Sequence, residues 1–545
     1  MIAFLVNSSD GPKLALGAAI EPAQKILDRI LFIAFAQRRE LMRGDLLETA
    51  LKSHNEFNPQ PVWSNFLGLF RHVDKGNFDM DIPPYNGGLF AQDALVDTLI
   101  LPEALAKDIA ALGNWDYRRE VPVTVLGHIF EQSITDIERL KAEAQGEALP
   151  AVAKRKREGV VYTPDMVTRF LVEQTVGRTL AERRAELQAE HGFGVGDMAP
   201  EKEIAFWRAW LETLRGLTIV DPACGSGAFL VAAFDRLAQE YRPVLTRLEE
   251  LGAPVEIDAF DEIVTKNLYG VNLNSESVEI TRLSLWLKTA RRDHRLQNLE
   301  ATIRVGDSLI EDAAYTSRPF DWRAAFPNVF ARGGFDIVIG NPPYVRAETI
   351  KDIKEYLSKN YHVFDSGADL YCYFYERCVR AIAGDGARIG LISSCGFLKA
   401  AFGEKLREFL RQNATFECGV DFGDTPVFQG VTTYPNIFVF RNNASTDNYI
   451  LKFMNLVGPH STNLSAEFGL KSFEYSSVRL LRKRWHFEHD TKSSLRDKIE
   501  SNRSHSPVHR SNDAESVAVR IAKQGLRVGA NRILRLVCLT DSTPT

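Results

Sequence analysis

Short apolar runs that stop at a polar residue punctuate the middle of this chain. Leu217-Thr218-Ile219-Val220 stops at Asp221, and Leu268-Tyr269-Gly270-Val271 stops at Asn272. Ala301-Thr302-Ile303-Arg304-Val305 runs out at Asp307, and Phe335-Asp336-Ile337-Val338-Ile339-Gly340 at Asn341. Each run has strand length and is too short for a helix. Between them lie helical stretches, Ala228 to Phe234 and then Ser275 to Ala290, where Val278, Leu283, Leu285 and Leu287 offer apolar faces. Strands alternating with helices predict an α/β fold with a doubly wound parallel sheet. In such sheets ligands bind beyond the carboxyl ends of the strands, so Asp221, Asn272, Asp307 and Asn341 are expected to line one crevice. Ala387 to Ser394 reads as a fifth strand, and Gly419 to Phe422 and Tyr434 to Phe440 as closing strands, the last pair antiparallel.

Upstream the period changes. Ile26, Leu27, Ile30, Leu31, Ile33, Ala34 and Phe35 recur at helical spacing, as do positions in 122–145, so residues 1–150 read as a helical packing domain. A helical insertion, Asp165 to Gly192 and then Glu201 to Arg215, precedes the first strand.

Two turns carry the chemistry. After Asp221 comes Pro222-Ala223-Cys224-Gly225-Ser226-Gly227 and then a helix, the strand–Gly turn–helix arrangement that brings backbone close to a ligand. No Lys-Ser/Thr follows, which disfavours a P-loop, and Leu230 stands where the dinucleotide fingerprint has its third glycine. The second turn is Asn341-Pro342-Pro343-Tyr344. An exocyclic amine on a π system is a poor nucleophile because its lone pair is delocalised into the ring. Acceptors from the Asn341 side chain and the Pro342 carbonyl would draw on both N–H groups and return that pair to nitrogen. The two prolines, with φ fixed, would pre-aim the carbonyls, and Tyr344 would stack on the ring.

DPACGSGAFL followed by NPPY resembles the gamma class of N6-adenine DNA methyltransferases, and more closely the methyltransferase part of type IIG restriction–modification enzymes. Gly159-Val160-Val161-Tyr162-Thr163-Pro164 is similar to that family's motif X, Asn267 to Leu285 to motif II, and Gly306-Asp307-Ser308-Leu309 to motif III. Asp369-Leu370-Tyr371 resembles the segment after the catalytic turn, and Val420 to Asp424 with Phe428-Gln429-Gly430 resembles motif VIII. Pro84 to Phe90 and Leu126 to Glu131 also resemble type IIG text. The resemblance implies a Rossmann-like sheet of the S-adenosylmethionine-dependent methyltransferase kind, with an N-terminal helical domain and a short C-terminal region. It implies S-adenosylmethionine as cofactor, held by Thr163, Asp221, Ala223, Gly225, Gly227, Asn272 and Asp307. Asn341, Pro342, Pro343 and Tyr344 would form the catalytic turn, with Tyr344 and Phe428 stacking on the target base. The partner implied is double-stranded DNA with a flipped adenine, with a nuclease or specificity partner beside it. The family usually has an acid where this chain has Asn272, and a neutral acceptor bonds about half as strongly as a carboxylate.

The 545 residues suffice for about three domains, expected at 1–150 (helical), 151–445 (methyltransferase) and 446–545 (a truncated or atypical target-recognition region). The net charge of −5 is unusual for a DNA binder, so local charge matters more: Lys154-Arg155-Lys156-Arg157, and Arg479, Arg482, Lys483 and Arg484 before Trp485. After residue 500 seven Lys/Arg face three Asp/Glu, with few periodic apolar positions. Cys224, Cys372, Cys378, Cys395, Cys418 and Cys538 include no C-x-x-C pair, which speaks against a zinc site or disulfide scaffold and fits the cytoplasm. The acid–lysine pattern of a Mg²⁺ nuclease does not occur before residue 150, so no metal and no nuclease activity are expected, from a methyltransferase alone or a fragment of a longer enzyme. Two other readings stand beside adenine methylation. One is a protein glutamine methyltransferase, since a carboxamide nitrogen poses the same chemical problem. The other is a catalytically impaired DNA-binding remnant.

Overall fold

The computed structural model describes residues 2–7, 14–54, 56–85, 88–115, 163–193, 199–291, 297–423, 425, 427–428, 434–443, 448–456 and 463–488. The expected features at 122–145, Leu126 to Glu131, Lys154 to Arg157, Gly159 to Tyr162, Asn86-Gly87, Asp424, Gln429-Gly430 and everything after 488 lie outside them. The chain divides after Phe487, residues 1–487 forming one compact unit.

Among the described residues, that unit is built on a nine-stranded sheet of order β3-β2-β1-β4-β5-β7-β6-β8-β9. Its strands are β1 (Ile219–Asp221), β2 (Leu268–Asn272), β3 (Ile303–Val305), β4 (Phe335–Gly340), β5 (Ala383–Ser394), β6 (Ala414–Asp421), β7 (Pro435–Asn442), β8 (Ile450–Asn455) and β9 (Phe473–Ser476). The α/β doubly wound arrangement is as expected. β1 pairs in parallel with β2 (Ile219 opposite Leu268) and with β4 (Ile219 opposite Ile337), so the strand order reverses between β1 and β4. β2 with β3 and β4 with β5 are parallel too, which places all five carboxyl ends on one rim. The two faces are covered by helices, so the central strands need not alternate: β1 is buried throughout, and β4 at every position except Asp336.

β6 and β7 pair antiparallel, as the pattern predicts. The sheet does not end there. β8 pairs in parallel with β6, and β9 antiparallel with β8, so the sheet extends beyond the expected boundary at residue 445. Trp485 is buried, its ring 5.6 Å from Phe416, and Phe487 stacks on Phe453 at 4.2 Å. Arg479 lies over the Tyr475 ring and Lys483 pairs with Glu404, so part of that basic cluster is engaged in packing.

The helical insertion packs on the sheet as Asp165–Val172, a π turn at Glu173–Gly177, and Arg178–His191. It is pinned at the rim opposite the carboxyl ends. There the buried Arg388 of β5 grips Glu417 of β6 with two hydrogen bonds (2.7 and 2.8 Å) and reaches Thr179 Oγ1 at 2.6 Å and Glu182 at 2.8 Å. A guanidinium this buried is tolerated because its fork meets carboxylates on both sides.

In the N-terminal part the helix Leu16–Arg38 packs beside the helix Ser275–Thr289. The Gly88–Phe90 turn has a structural use: Leu89 and Ala91 carbonyls accept from the buried Arg29 at 2.8 Å each, while Phe90 and Tyr85 pack edge-on against Phe32. Among the described residues, no helix is long and apolar enough to cross a membrane.

Candidate active site

The Gly-rich turn is fixed from several sides. Gly225 and Gly227 have φ of +52° and +84°, and a Cβ on Gly227 would lie 2.9 Å from Thr281 Cγ2. Thr281 Oγ1 donates to the Gly225 carbonyl (2.7 Å), Ser308 Oγ to the Pro222 carbonyl (2.6 Å), and the Cys224 amide to Val271 (3.1 Å). The turn leads directly into the helix Ala228–Glu250, whose first amides are free of intrahelical partners by geometry.

Asp221 closes β1 and is almost wholly buried. Its Oδ1 accepts from the Ala223 amide at 2.9 Å, and burial pushes its carboxyl up to about 7. The carboxyl lies against Gly340, where an added Cβ would come within 2.7 Å of Oδ1. Gly340 is the residue before Asn341, so the Gly-rich turn and the Asn-Pro-Pro-Tyr turn meet at a position with no side chain.

Asn272 ends β2 half-buried, and its carbonyl accepts from the Gly306 amide (2.9 Å), tying the end of β2 to β3. Asp307 lies one residue further on, its Oδ1 accepting from Leu309 (3.1 Å); burial raises its carboxyl and that amide works against the rise. The four polar strand ends thus lie along one rim, as the block pattern predicts.

Asn341 is anchored by Thr163, whose Oγ1 accepts from Asn341 Nδ2 at 3.0 Å. Thr163 is buried and starts the turn into the helix Asp165–Val172. Thr163, which the resemblance implies for the cofactor, also touches the asparagine of the turn. In this orientation Nδ2 is the end of the carboxamide that meets Thr163. Pro342 is buried and Pro343 half-buried, and beyond Tyr344 the turn is clamped. Val345 accepts from the Leu370 amide (2.9 Å), and Ala347 donates to Asp369 Oδ1 (3.1 Å).

The Tyr344 ring is packed edge-on against Tyr371 (6.3 Å, 85°) and tilted to Phe428 (5.9 Å, 58°). The structure therefore brings the two expected stacking residues together, with ring planes too oblique to sandwich a base as they stand. Sequence reading passed over Gly340, Thr281 and Ser308 as contributors. Ser308 lay inside the text resembling motif III, but a hydroxyl holding a carbonyl 86 positions away leaves no local signal.

Residues 266–428 match the Eco57I restriction-modification methylase family. Among curated relatives, the type II restriction enzyme and methyltransferase RM.Eco57I of Escherichia coli is 26% identical over 354 residues, 60% of this chain and 32% of its own length. The type II methyltransferase M.BstVI of Geobacillus stearothermophilus is 30% identical over 257 residues, 44% of this chain and 38% of its own length. The chain thus spans about a third of the length of these relatives. The fold is shared with the type IIL restriction-modification enzyme MmeI, solved in complex with DNA: TM-score 0.58, 18% identity, covering 84% of this chain and 60% of that one. The strand-end crevice described above falls partly within the matched segment, which is similar to an Eco57I-type restriction–modification methylase domain.

Proposed function

We propose that this protein transfers a methyl group from S-adenosylmethionine to the N6 of an adenine flipped out of double-stranded DNA, as part of a restriction–modification or phage-defence system. The observation that carries the reading is the Asn341 carboxamide, oriented by Thr163 at the end of β4 and one residue from the glycine against which Asp221 packs. A fixed carboxamide acceptor beside a Gly-rich strand–helix turn is the arrangement that activating a conjugated amine requires.

The residues present fit the cofactor. Gly225 and Gly227 leave the turn without side chains where backbone must approach a ligand, and a Cβ on Gly227 would collide with Thr281. Asp307 presents a half-buried carboxylate for an amino group, and Asn272 an amide for hydroxyls. Bound there, the cofactor supplies an electrophilic sulfonium methyl. The chain's own contribution is orientation: the Asn341 oxygen and the Pro342 carbonyl would accept from the two N6 protons, with bonds that strengthen as nitrogen acquires positive charge. Extrahelical adenine costs a few kcal/mol, and stacking on Tyr344 and Phe428 would return about 1–3 kcal/mol of it. Tyr344 and Phe428 would have to become more nearly parallel to do so.

Asn341→Ala separates this reading from a DNA-binding remnant. Methylation of host DNA, read by sequencing that reports N6-methyladenine in context, should vanish, while titration calorimetry with S-adenosylmethionine still shows binding. Loss of both together, or wild-type protein that binds no cofactor, would refute the assignment. Tritiated cofactor that labels protein and leaves DNA unlabelled would favour a glutamine methyltransferase.

A further inference from the structure

Asn436 is the second residue of β7, paired with Ser393 of β5 on one side and Asp421 of β6 on the other. β5 runs parallel to β4 with Leu391 opposite Gly340, so Ser393 and Asn436 lie at the rim that carries the Asn-Pro-Pro-Tyr turn. Asn436 is fully buried (0% exposed). Its Oδ1 accepts from Ser393 Oγ at 3.1 Å. With its one proton committed there, Ser393 is the acceptor in its 2.9 Å contact with the Tyr375 hydroxyl. In this arrangement the amide turns its oxygen toward Ser393 and its Nδ2 away from it.

Among the described residues Asn436 Nδ2 has no hydrogen-bond partner, and neither has the buried hydroxyl of Tyr344. The two groups are linked through the helix Tyr371–Arg377: Tyr344 packs edge-on against Tyr371, and one turn on the Tyr375 hydroxyl reaches Ser393. Folded proteins rarely leave buried donors unsatisfied, because each forfeits its hydration. One of these donors belongs to Tyr344, whose ring lies against Phe428, and the other to Asn436 at the same strand-end rim. A flipped adenine offers two N6 protons, which the Asn341 end of the pocket would accept, and three ring nitrogens that can only accept. Its acceptors match what the Asn436 side offers.

We propose that Asn436 reads the target base by donating its Nδ2 proton to a ring nitrogen of the flipped adenine, an inference that rests on the adenine methylation proposed above. Ser393 and Tyr375 are then positioning residues that hold the amide in its donor orientation.

The test uses the full chain and duplexes carrying the site it methylates in host DNA, with the target adenine replaced in turn by its 1-deaza, 3-deaza and 7-deaza analogues. One analogue should be methylated about tenfold less efficiently (kcat/KM) by the wild-type protein, the scale of one lost hydrogen bond with a stranded partner. Asn436→Ala should lose a similar factor on adenine and show no further loss with that same analogue. Cofactor affinity should stay unchanged in the variant. Wild-type protein indifferent to all three replacements would overturn the proposal without need of any variant. So would an analogue deficit that persists at full size in Asn436→Ala. Wild-type protein that methylates no DNA would overturn the function reading itself, and this inference with it.

Discussion

Thr163→Val tests the placement of the threonine hydroxyl directly. Valine keeps the shape and burial of the side chain and removes the oxygen that receives Asn341 Nδ2 at 3.0 Å. A neutral hydrogen bond of this kind contributes about 1 kcal/mol net, and stranding a buried donor raises the loss to about 1–3 kcal/mol. If Asn341 must be oriented only when the amine reacts, the whole of this loss falls on the transition state, and 1.4 kcal/mol is about tenfold in rate. The expected result is therefore kcat lowered roughly 5- to 150-fold, with S-adenosylmethionine affinity near that of the wild type and Thr163→Ser recovering most of the rate. Single-turnover methylation gives the first quantity and calorimetry the second. The opposite split, weakened cofactor binding with an unaltered single-turnover rate at saturation, would refute the reasoning and return Thr163 to the cofactor.

The remaining expectations concern the fold. Burial pushes the Asp28 carboxyl up to about 8 at the face of the helix packed beside Ser275–Thr289, against the opposing effect of Gln24 Nε2, which donates to it at 2.7 Å. A carboxyl whose pKa is raised on folding favours the folded state while protonated, and that advantage disappears as pH rises from about 4 toward 8. Asp28→Asn should thus be nearly neutral in thermal unfolding at pH 4 and stabilising at pH 8; a variant equally affected at both would contradict the assigned cause. Trp485→Ala should cost about 3–5 kcal/mol in urea unfolding, because Trp485 is buried against Phe416 and Phe397. A near-neutral result would detach residues 477–487 from the core of the sheet.

Much of this architecture was legible because the chain states it in short-range terms. Each of the first four strands is an apolar run closed by a polar or turn residue, and Gly225 and Gly227 mark a backbone that must bend with positive φ. Two classes of feature escaped. β8 and β9 were missed because Ile450–Asn455 pairs with β6, a strand that is not its neighbour in sequence, and its residues ILKFMN break the strict apolar–polar alternation of a half-buried strand. Contacts across long sequence separation were missed because nothing local encodes them: Thr163 to Asn341 spans 178 positions and Ser308 to Pro222 spans 86. The Pro84 to Phe90 stretch showed the converse limit. It stood out only by resemblance, yet the Leu89 and Ala91 carbonyls hold the buried Arg29.

The contact between Asp221 and Gly340 bears on how such a protein loses its activity over evolutionary time. A Cβ at position 340 would come within 2.7 Å of an Asp221 carboxyl oxygen, which would have to turn away from its bond to the Ala223 amide. On the proposed function, one nucleotide change there would disturb the turn that meets the cofactor in a chain that still folds.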